Sequence, residues 1–444
     1  MNISIIGAGR IGLILGACLA ERGHSVLFTD RDFKKLKDIS LGRVPFYEPG
    51  LKALFRKNKS RLKWVEEPQD IIASEIIFLT LSLPVKINGD FDMSGVKSWI
   101  RQIIRYTEKE KLLILKSTFP LGTNRVLQSL ADKAKAPLHI VTCPEFLRQG
   151  QALSDIQNPD RIVIAGPSQK VNKKVERLYK SFSSGPVIFT SPETAEISKL
   201  AANSFLALKI SFINLIANVS EGFSVDMNDL KNILGSDPRI GKPFLQPGLG
   251  FGGSCLPKDL KHLIFQGQRQ KNLIGLLKEV EALNRNRVPH FFQQIKKQSQ
   301  TLTHKTYAFW GLSFKANTDD IRTSPAVLLA LQLLKTGAKI QIFDPLFKEE
   351  WKSLFHFSQS KKSVKVTFHN TPLSALKSAH GLIIGTDWKG FQKIPLDDIK
   401  SQLKTPFIVD GRGIFNVKEL MRKGFKVYQA GGIFHEDSIY TPPV

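Results

Sequence analysis

The chain has 444 residues, of which 42% are apolar, and its formal net charge is +25 at pH 7. A chain of this length usually divides its core among two or three domains, and this apolar fraction is enough to fill them. Its apolar runs fall short of the roughly 20 uninterrupted residues that a membrane span needs, so we expect no membrane partner. The basic residues are spread along the sequence, so we interpret the charge as a solvated surface and expect no nucleic-acid partner.

The N-terminus and the cysteines bear on the cellular compartment. Residues 1–6 lead directly into a glycine turn and lack the basic segment and cleavage site of a secretory signal. The three cysteines, Cys18, Cys143 and Cys255, are odd in number and far apart, which argues against a disulfide framework. We therefore expect a cytoplasmic protein.

A strand, a glycine turn, a helix and a second strand are predicted over residues 1–30, with the helix ending near Gly23 and the second strand at Asp30. Further β-branched, apolar runs separated by helical patterns predict strands at residues 76–83, 112–118, 139–145 and 161–166. Strands that alternate with helices in this way are typical of a parallel, doubly wound sheet.

The pattern then changes to long helices, and residues 193–223 form a run that is too long for an ordinary crossover helix. We interpret it as a connecting and dimerising segment. A second alternation follows, with strands near residues 305–314, at 338–345, at 381–388 and at 406–413, and with a polar, basic surface loop at 357–366. The predicted fold is α/β, with two Rossmann-like doubly wound domains joined by a long central helical segment. The expected domains are residues 1–190, 191–290 and 300–444.

Three glycines follow the first strand at the spacing G-x-G-x-x-G. Gly7 permits the tight turn, Gly9 lets the backbone approach a pyrophosphate, and Gly12 lets the helix lie close to the strand. Asp30 ends the second strand, where a carboxylate accepts hydrogen bonds from the ribose hydroxyls of a dinucleotide. Because this carboxylate repels a 2′-phosphate, the sequence predicts NAD as the cofactor, although Arg31 beside it is a mild contrary sign.

A glycine-rich loop leads into Cys255. Five glycines within 15 residues give a backbone that can wrap a ligand closely and direct its amides at anionic groups. With Lys258 and Asp259 at its flank, the thiol has the setting of a reactive thiolate. We therefore predict that Cys255 is a nucleophile, and we interpret Cys18 and Cys143 as inert packing residues.

The sequence resembles the UDP-glucose/GDP-mannose dehydrogenase family along essentially its whole length, most closely in the loop GFGGSCLPKD at residues 250–259. The other shared motifs are GAGRIG at 7–12, PFYEPGL at 45–51, KSTFPLGT at 116–123, PEFLRQG at 144–150, NPDR at 158–161, KLAAN at 199–203 and FKANTDDIRTSPA at 314–326. The resemblance implies the oxidation of the primary alcohol of UDP-glucose to UDP-glucuronate with two NAD. The same chemistry on GDP-mannose or another UDP-hexose stays open, as does a two-electron β-hydroxyacid dehydrogenase.

The resemblance also implies a role for each site residue. Cys255 would trap an aldehyde as a thiohemiacetal that is oxidised to a thioester, and Lys199 and Asn203 would stabilise the oxyanions. The implied catalytic set is Cys255, Lys199, Asn203, Thr118, Glu145 and Asp259, with Glu145 as the base for thioester hydrolysis. The implied cofactor contacts are Gly7, Gly9, Ile11, Gly12, Asp30, Lys35, Thr118, Gln149, Lys258 and Arg322. The implied substrate contacts are Glu145, Phe146, Leu147, Arg148, Gln149, Lys199, Asn203, Arg239, Phe244, Leu245, Gln246, Pro247, Gly248, Gly252 and Lys315.

By the same resemblance, Arg239 would reach into the substrate site of a second subunit, which implies a homodimer or a higher homo-oligomer. Arg412 is a further candidate for the sugar site, and we predict no metal. Three positions depart from the family pattern: Gln149 and Leu215 each replace a glutamate, and Leu83 replaces a threonine. The changes at Gln149 and Leu83 concern cofactor binding, whereas the nucleophile and its oxyanion partners are intact.

Overall fold

The computed structural model describes residues 1–223, 225–358 and 366–434. Over these residues the chain divides into two compact units. Unit 1 is Met1–Ala202 with Lys261–Asn272, and unit 2 is Asn203–Leu260 with the described residues from Leu273 onward. Most of the predicted surface loop at residues 357–366 lies outside the described residues.

A parallel sheet with surrounding helices organises unit 1. Its strands are β1 (Asn2–Ile6), β2 (Ser25–Thr29), β3 (Leu62–Trp64), β4 (Ile76–Leu79), β5 (Lys111–Leu115), β6 (Leu138–Thr142), β7 (Ile162–Ile164) and β8 (Val187–Phe189). Its helices are α1 (Arg10–Glu21), α2 (Phe33–Ser40), α3 (Leu51–Lys57), α4 (Pro68–Ile72), α5 (Ser94–Tyr106), α6 (Thr123–Lys133), α7 (Ala152–Gln157), α8 (Gln169–Lys180) and α9 (Pro192–Val219). Helix α9 continues into unit 2. Six strands pair in the order β3-β2-β1-β4-β5-β6, and all the neighbours are parallel. This is the doubly wound order, in which ligands bind at the carboxyl ends of the strands where the order reverses.

The two faces of this sheet are buried in separate apolar clusters. Ile76 and Phe78 of β4 lie in the cluster that contains the buried residues of α1, whereas Ile77 and Leu79 lie in the cluster that contains those of α5. Every residue of β4 and β5 is buried. Continuous apolar runs of this kind are expected of parallel strands covered by helices on both faces.

One predicted strand lies outside the main sheet. The strand β7 pairs in parallel with β8 in a small sheet of its own, and the bridge between Thr142 and Ala165 is antiparallel. The prediction that residues 161–166 continue the parallel sheet is therefore wrong. Apolar periodicity identifies a strand, but it does not identify the strand with which it pairs.

A second sheet organises unit 2. The remaining helices are α10 (Met227–Ser236), α11 (Leu256–Arg269), α12 (Gly275–Ser299), α13 (Pro325–Leu334), α14 (Leu396–Gln402) and α15 (Val417–Arg422), and the remaining strands are β9 (Thr306–Trp310), β10 (Lys339–Phe343), β11 (Val366–Phe368), β12 (Leu382–Ile384), β13 (Phe407–Asp410), β14 (Lys426–Gln429) and β15 (Gly432–Phe434). The seven strands pair in the order β11-β10-β9-β12-β13-β14-β15, and β15 is antiparallel to β14. The first six strands of this order repeat the order of unit 1, which confirms the predicted pair of Rossmann-like sheets.

Helix α9 confirms the prediction of one long central helix. Among the residues that the structure describes, it is the one helix long and apolar enough to cross a membrane, with a mean hydropathy of 1.6 over an 18-residue window. Of that window, 44% is buried within the protein. Length and composition alone are weak evidence for a span, because long core helices pass the same test.

Candidate active site

The glycine turn between β1 and α1 has the geometry that a dinucleotide needs. Gly7 has a φ of +107°, and a Cβ there would lie 2.9 Å from the carbonyl oxygen of Thr80. A Cβ on Gly12 would lie 2.1 Å from the oxygen of Gly7, whereas a Cβ on Gly9 would meet nothing of the protein within 4 Å. The turn is therefore tight at Gly7 and Gly12 and accessible at Gly9. It leads into the first turn of α1, which includes the half-buried Ile11.

Asp30 lies directly after β2, beside this turn. Its Oδ2 accepts a hydrogen bond from the amide of Ala8 at 2.8 Å, and its Oδ1 accepts one from the amide of Asp32 at 3.1 Å. The ammonium of Lys35, on α2, also bonds to Oδ2. The structure thus brings two predicted cofactor residues together, and the carboxylate has the position and charge that favour ribose hydroxyls over a 2′-phosphate.

Glu145 and Lys199 form a buried ion pair in unit 1. The Lys199 Nζ lies 3.2 Å from Glu145 Oε1, and the two side chains are only 4% and 6% exposed. Glu145 Oε2 accepts a hydrogen bond from the amide of Leu147 at 2.5 Å, and the Lys199 ammonium lies 5.5 Å from the centre of the Phe146 ring. This burial rules out a solvated helix face for Lys199. Because two charges removed from water incur a large desolvation penalty, a buried pair of this kind is more typical of a functional site than of a stabilising contact.

Two buried carboxylates hold the segment that follows Glu145. Glu48 accepts hydrogen bonds from the amides of Gly150 at 2.8 Å and Ala152 at 2.7 Å, and Asp155 accepts from the amide of Arg148 at 2.7 Å. Asp155 also bonds to the Arg148 guanidinium at 2.6 Å. The sequence analysis assigned no role to either carboxylate, although Glu48 lies in the PFYEPGL motif. Together they fix the backbone on which Phe146, Leu147, Arg148 and the half-buried Gln149 are carried.

Thr118 lies half-buried in the loop between β5 and α6. A buried carboxylate of α9, Glu196, accepts hydrogen bonds from the amides of Gly122 at 2.6 Å and Asn124 at 2.7 Å, and so ties this loop to the helix that carries Lys199. Burial raises the pKa of Glu196 to about 7, against the smaller lowering effect of these two hydrogen bonds. Sequence reasoning missed Glu196 as well.

In unit 2, the half-buried Cys255 stands immediately before α11. The amide of Asp259 donates to the carbonyl oxygen of Cys255 at 2.9 Å. The buried Asp259 carboxylate accepts a hydrogen bond from Asn203 Nδ2 at 2.5 Å, and its other oxygen lies 2.5 Å from Lys258 Nζ. Four of the predicted site residues therefore form one connected group within unit 2.

The other two cysteines lack the setting of a nucleophile. Cys18 and Cys143 are both buried, at 2% and 0% exposure. Burial raises the pKa of the Cys18 thiol to about 12, which keeps it protonated at neutral pH. These positions fit the predicted packing role.

A cationic side chain lies near the thiol of Cys255. The main-chain oxygen of Arg322 accepts a hydrogen bond from the amide of Gly253 at 2.9 Å. The Arg322 guanidinium bonds to both oxygens of Asp320, at 2.8 and 2.6 Å, and this hydrogen bonding is the main cause of its raised pKa, to which the charge of Cys255 also contributes. A neighbouring guanidinium favours the thiolate form of a cysteine. The predicted substrate residue Lys315 is half-buried, with its ammonium 5.8 Å from the centre of the Phe314 ring.

The glycine-rich loop differs in one respect from the expectation. We expected its amides to point at an anionic ligand, but four of them donate to protein acceptors. The amides of Gly248, Leu249, Phe251 and Gly253 bond to Asn214 Oδ1, the Gly411 oxygen, Asn284 Oδ1 and the Arg322 oxygen, respectively. The expectation is therefore wrong for these four amides. At Gly248 and Gly252 a Cβ would lie 2.4 Å and 2.5 Å from the backbone oxygens of Gly411 and Thr323, so these glycines are required by close packing.

The segment before this loop carries the remaining predicted substrate residues. Phe244 is exposed with a φ of +67°, whereas Leu245 and Pro247 are buried. The Gln246 Oε1 accepts a hydrogen bond from Lys231 Nζ at 2.7 Å. The side chain that is most available for an extended ligand in this stretch is therefore Phe244.

Two predicted arginines of unit 2 have different surroundings. The Arg239 side chain is 88% exposed and pairs with Asp237 at 2.6 Å, which suits a residue that reaches outward. Arg412 is half-buried and donates to the main-chain oxygens of Gly250, Phe314 and Gly385 at 3.2, 2.9 and 2.8 Å. These contacts show that Arg412 braces the backbone of three segments, and its contact with the sugar stays a prediction.

The departures from the family pattern also have distinct settings. Leu83 is buried in the apolar cluster that contains Phe91, and Leu215 is 39% exposed on α9. The apolar surroundings of Leu83 explain a leucine there, whereas the exposure of Leu215 by itself does not explain why a leucine replaces a glutamate. Across the described ranges of the chain, no group of three or more His, Cys, Asp or Glu side chains is arranged to hold a metal.

Comparison with known proteins agrees with this geometry. Three models of the UDP-glucose/GDP-mannose dehydrogenase family match the chain: the NAD binding domain at residues 1–183, the central domain at 193–286 and the UDP binding domain at 308–417. The chain is similar to the UDP-glucose 6-dehydrogenase TuaD of Bacillus subtilis, with 35% identity over 97% of this chain and 93% of that protein. It is also similar to a UDP-glucose 6-dehydrogenase of Pseudomonas aeruginosa, with 32% identity over 97% of both.

Among solved structures, a UDP-glucose dehydrogenase from Pyrobaculum islandicum superposes with a TM-score of 0.86 at 31% identity, over 94% of this chain and 95% of that one. The family models cover well over half of the sequence, and the glycine turn, Asp30 and the Cys255 loop lie within the matched segments. The chain belongs to the UDP-glucose/GDP-mannose dehydrogenase family, and its N-terminal domain is an NAD-binding domain.

Proposed function

We propose that this protein is a cytoplasmic UDP-glucose 6-dehydrogenase, which oxidises UDP-glucose to UDP-glucuronate in two NAD-dependent steps. The relatives named UDP-glucose 6-dehydrogenase, at 32–35% identity over nearly the whole chain, support this substrate. The observation that carries the proposal is the half-buried Cys255 thiol, which is joined through the backbone to the Asp259–Asn203 pair. A four-electron oxidation needs a nucleophile that keeps the aldehyde on the enzyme, and this thiol is suited to that task.

The residues of the glycine turn fit a bound dinucleotide. Gly9 leaves the backbone approachable, the N-terminus of α1 lies behind it, and Asp30 with Lys35 stands at its side. When bound, NAD supplies the hydride acceptor for both oxidations. In the proposed division of roles, Asp30 selects the ribose hydroxyls and Lys35 contributes positive charge beside it, while Lys258 and Arg322 are cofactor contacts only by the resemblance to the family.

The covalent steps follow from the side chains present. The first oxidation removes a hydride from the C6 carbon and a proton from its hydroxyl, which leaves an aldehyde. The hydride would pass to the bound NAD, and the proton would pass to the water that the resemblance assigns to Thr118, Glu145 and Asp259. The Cys255 thiolate adds to the aldehyde carbon, so that a C–S bond forms and the oxygen becomes an oxyanion. Lys199 and Asn203, one helical turn apart on α9, donate hydrogen bonds to this oxyanion. The second oxidation removes a hydride from the same carbon and leaves a thioester.

Hydrolysis of the thioester releases the acid. By the resemblance to the family, Glu145, Thr118 and Asp259 would hold a water, and Glu145 would accept its proton as the oxygen attacks the carbonyl carbon. The C–S bond breaks and the thiolate leaves. The carboxylic acid that forms then loses its proton to solvent and becomes the carboxylate product. The Lys199 ammonium, 3.2 Å from Glu145, balances the charge of the base, while Asp259 orients the Asn203 amide through the 2.5 Å hydrogen bond.

A stripe of apolar side chains on α9 supports a homodimer. Ala201, Phe205, Leu208, Phe212, Leu215 and Val219 follow one another at alternating steps of four and three residues, which places them on one face of the helix. Phe205, Phe212, Leu215 and Val219 are 61%, 47%, 39% and 64% exposed. A coiled-coil-like seam of this kind favours a second copy of the same helix. In such a dimer, the exposed Arg239 contacts the substrate of the partner.

The substrate is the part of the proposal that most needs an experiment. Turnover should be compared across UDP-glucose, GDP-mannose, UDP-galactose and UDP-N-acetylglucosamine, with NADH counted per sugar consumed. We expect the largest kcat/KM for UDP-glucose, two NADH per sugar, and inactivation by iodoacetamide. Faster turnover of GDP-mannose than of UDP-glucose would instead indicate that the protein belongs to the GDP-mannose branch of the family. One NADH per molecule without thiol sensitivity would instead indicate β-hydroxyacid chemistry.

A further inference from the structure

The loop that carries Cys255 is held by side chains of α12 that no motif in the sequence analysis includes. Asn284 Oδ1 accepts a hydrogen bond from the amide of Phe251 at 2.8 Å, and Asn284 Nδ2 donates to the carbonyl oxygen of Phe251 at 3.0 Å. One carboxamide therefore satisfies both polar groups of a single peptide residue, as a neighbouring strand would. Phe251 is four residues before Cys255.

The adjacent glycine is shaped by the same carboxamide. Gly250 has a φ of +99°, and a Cβ there would lie 2.5 Å from Asn284 Oδ1. Only glycine meets both conditions, the left-handed conformation and the absence of a side chain. The glycine at position 250 is thus explained by close contact with Asn284.

A second contact from α12 lies one helical turn further along. The Nε of the buried Arg287 donates to the carbonyl oxygen of Gly248 at 2.9 Å, and the amide of Gly248 donates to Asn214 Oδ1 on α9 at 2.8 Å. Gly248 and Phe251 are therefore each bonded through both of their main-chain polar groups. From the C-terminal part of unit 2, Arg412 donates to the Gly250 oxygen at 3.2 Å.

We propose that Asn284 is a positioning residue for the Cys255 nucleophile. A loop rich in glycine has many accessible conformations, and each of these main-chain hydrogen bonds removes some of them. A nucleophile misplaced by about 1 Å can lose about 100-fold in rate. Asn284 acts through the loop and does not contact the substrate. This proposal rests on the proposed function, because it assigns the thiol to the second oxidation.

The two half-reactions provide a readout that a merely structural residue would not change. The first oxidation does not use the thiol, whereas capture of the aldehyde and the second oxidation do. In Asn284→Ala, we expect the rate of acid formation to fall about 10- to 100-fold. The KM values for UDP-glucose and NAD should stay within about twofold, while free aldehyde, trapped with hydroxylamine, rises relative to the NADH formed.

The matched control is Asn286→Ala. Asn286 is an exposed asparagine two residues further along α12, about 200° around the helix from Asn284, so the same substitution there leaves the loop contacts in place. We expect its acid formation and its aldehyde release to match those of the unmodified protein. Asn284→Asp is the second variant. It keeps an acceptor for the Phe251 amide but places a carboxylate oxygen where the donor to the Phe251 oxygen was, so it should also raise aldehyde release relative to acid formation if Asn284→Ala does not fold.

Hydrogen exchange tests the loop independently of activity. In Asn284→Ala, the amide of Phe251 should exchange at least about 10-fold faster, whereas the amides of β9 should be unchanged. Equal losses of both half-reactions without aldehyde release, or unaltered exchange at Phe251, would overturn the proposal. If the unmodified protein makes only one NADH per sugar, the proposed function fails, while the exchange result still decides whether Asn284 holds the loop.

Discussion

The buried pair of Lys199 and Glu145 gives a test that separates stability from catalysis. Lys199→Met removes the ammonium but keeps most of the side-chain volume, and it leaves the Glu145 carboxylate at 6% exposure without that charge beside it. Removing one partner of a buried ion pair costs about 3–5 kcal/mol of unfolding free energy. For a unit of roughly 200 residues, each kcal/mol lowers Tm by about 2–4 °C, so we expect a decrease of about 6–20 °C.

The double variant Lys199→Met with Glu145→Gln distinguishes the two roles. It removes both charges, so no uncompensated charge stays buried, and its Tm should return to within a few degrees of the starting value. Its kcat should nevertheless remain at least about 100-fold reduced, because both the oxyanion donor and the base are absent. Thermal melts followed by circular dichroism give the stability, and NADH absorbance gives the rate.

Lys180→Met provides the matched control for this substitution. Lys180 pairs with Glu176 at 2.9 Å on α8, but its side chain is 64% exposed. An exposed pair contributes at most about 1 kcal/mol, so the Tm of this variant should change by no more than a few degrees. If Lys199→Met melted like Lys180→Met, or if the double variant recovered full turnover, the assignment of a charged, catalytic pair would be refuted.

Three further predictions follow from the structure. Asp30→Asn should weaken NAD binding about 10- to 100-fold, because hydrogen bonds to a charged group contribute about 1.5–3 kcal/mol; titration by fluorescence quenching measures this, and unchanged affinity would exclude the ribose contact. The pKa of Glu196 is raised to about 7 in the folded protein, so as pH rises the carboxyl loses its proton in the unfolded chain before it does so in the folded one. The unfolding free energy should therefore fall by up to about 3 kcal/mol as pH rises from about 4.5 to about 7. Denaturant unfolding should show this slope flattened in Glu196→Gln, and an equal slope in both proteins would contradict the burial of that carboxyl. Phe212→Glu should give a monomer in analytical ultracentrifugation, whereas Leu328→Glu, on α13 and also about half exposed, should stay dimeric. If both variants were dimeric, the apolar stripe on α9 would be excluded as the dimer interface.

Local patterns predicted much of the fold. The glycine turn, Asp30 after β2 and the long helix α9 depend on residues close together in the sequence, and the structure has all three. The strands were predicted too long at their ends: residues 76–83 were expected where β4 covers Ile76–Leu79. An apolar run shows where a strand is buried, but hydrogen-bonded pairing decides where it ends. Five short strands, β3, β8, β11, β14 and β15, were missed, since three or four residues give no periodicity.

The supports of the site were not predictable in the same way. Glu48 bonds to the amide of Gly150, which is 102 residues away, and Asn284 bonds to Phe251 across 33 residues. Such contacts depend on the tertiary fold. The PFYEPGL motif marks Glu48 without showing which amides it holds, and Asn284 lies in a helical pattern with no distinguishing signal. The chemistry of Cys255 could be predicted because its loop is a contiguous motif, whereas the use of its amides by Asn214 and Asn284 could not.

The central claim is that Cys255 keeps the aldehyde on the enzyme as a covalent intermediate. The most direct measurement is the product balance of Cys255→Ser with UDP-glucose and excess NAD, with UDP-glucuronate and NADH quantified together. We predict that the unmodified protein forms two NADH for each UDP-glucuronate, and that the variant binds UDP-glucose normally but forms no UDP-glucuronate. Sustained formation of UDP-glucuronate by Cys255→Ser at the unmodified rate, with two NADH per sugar, would contradict this mechanism.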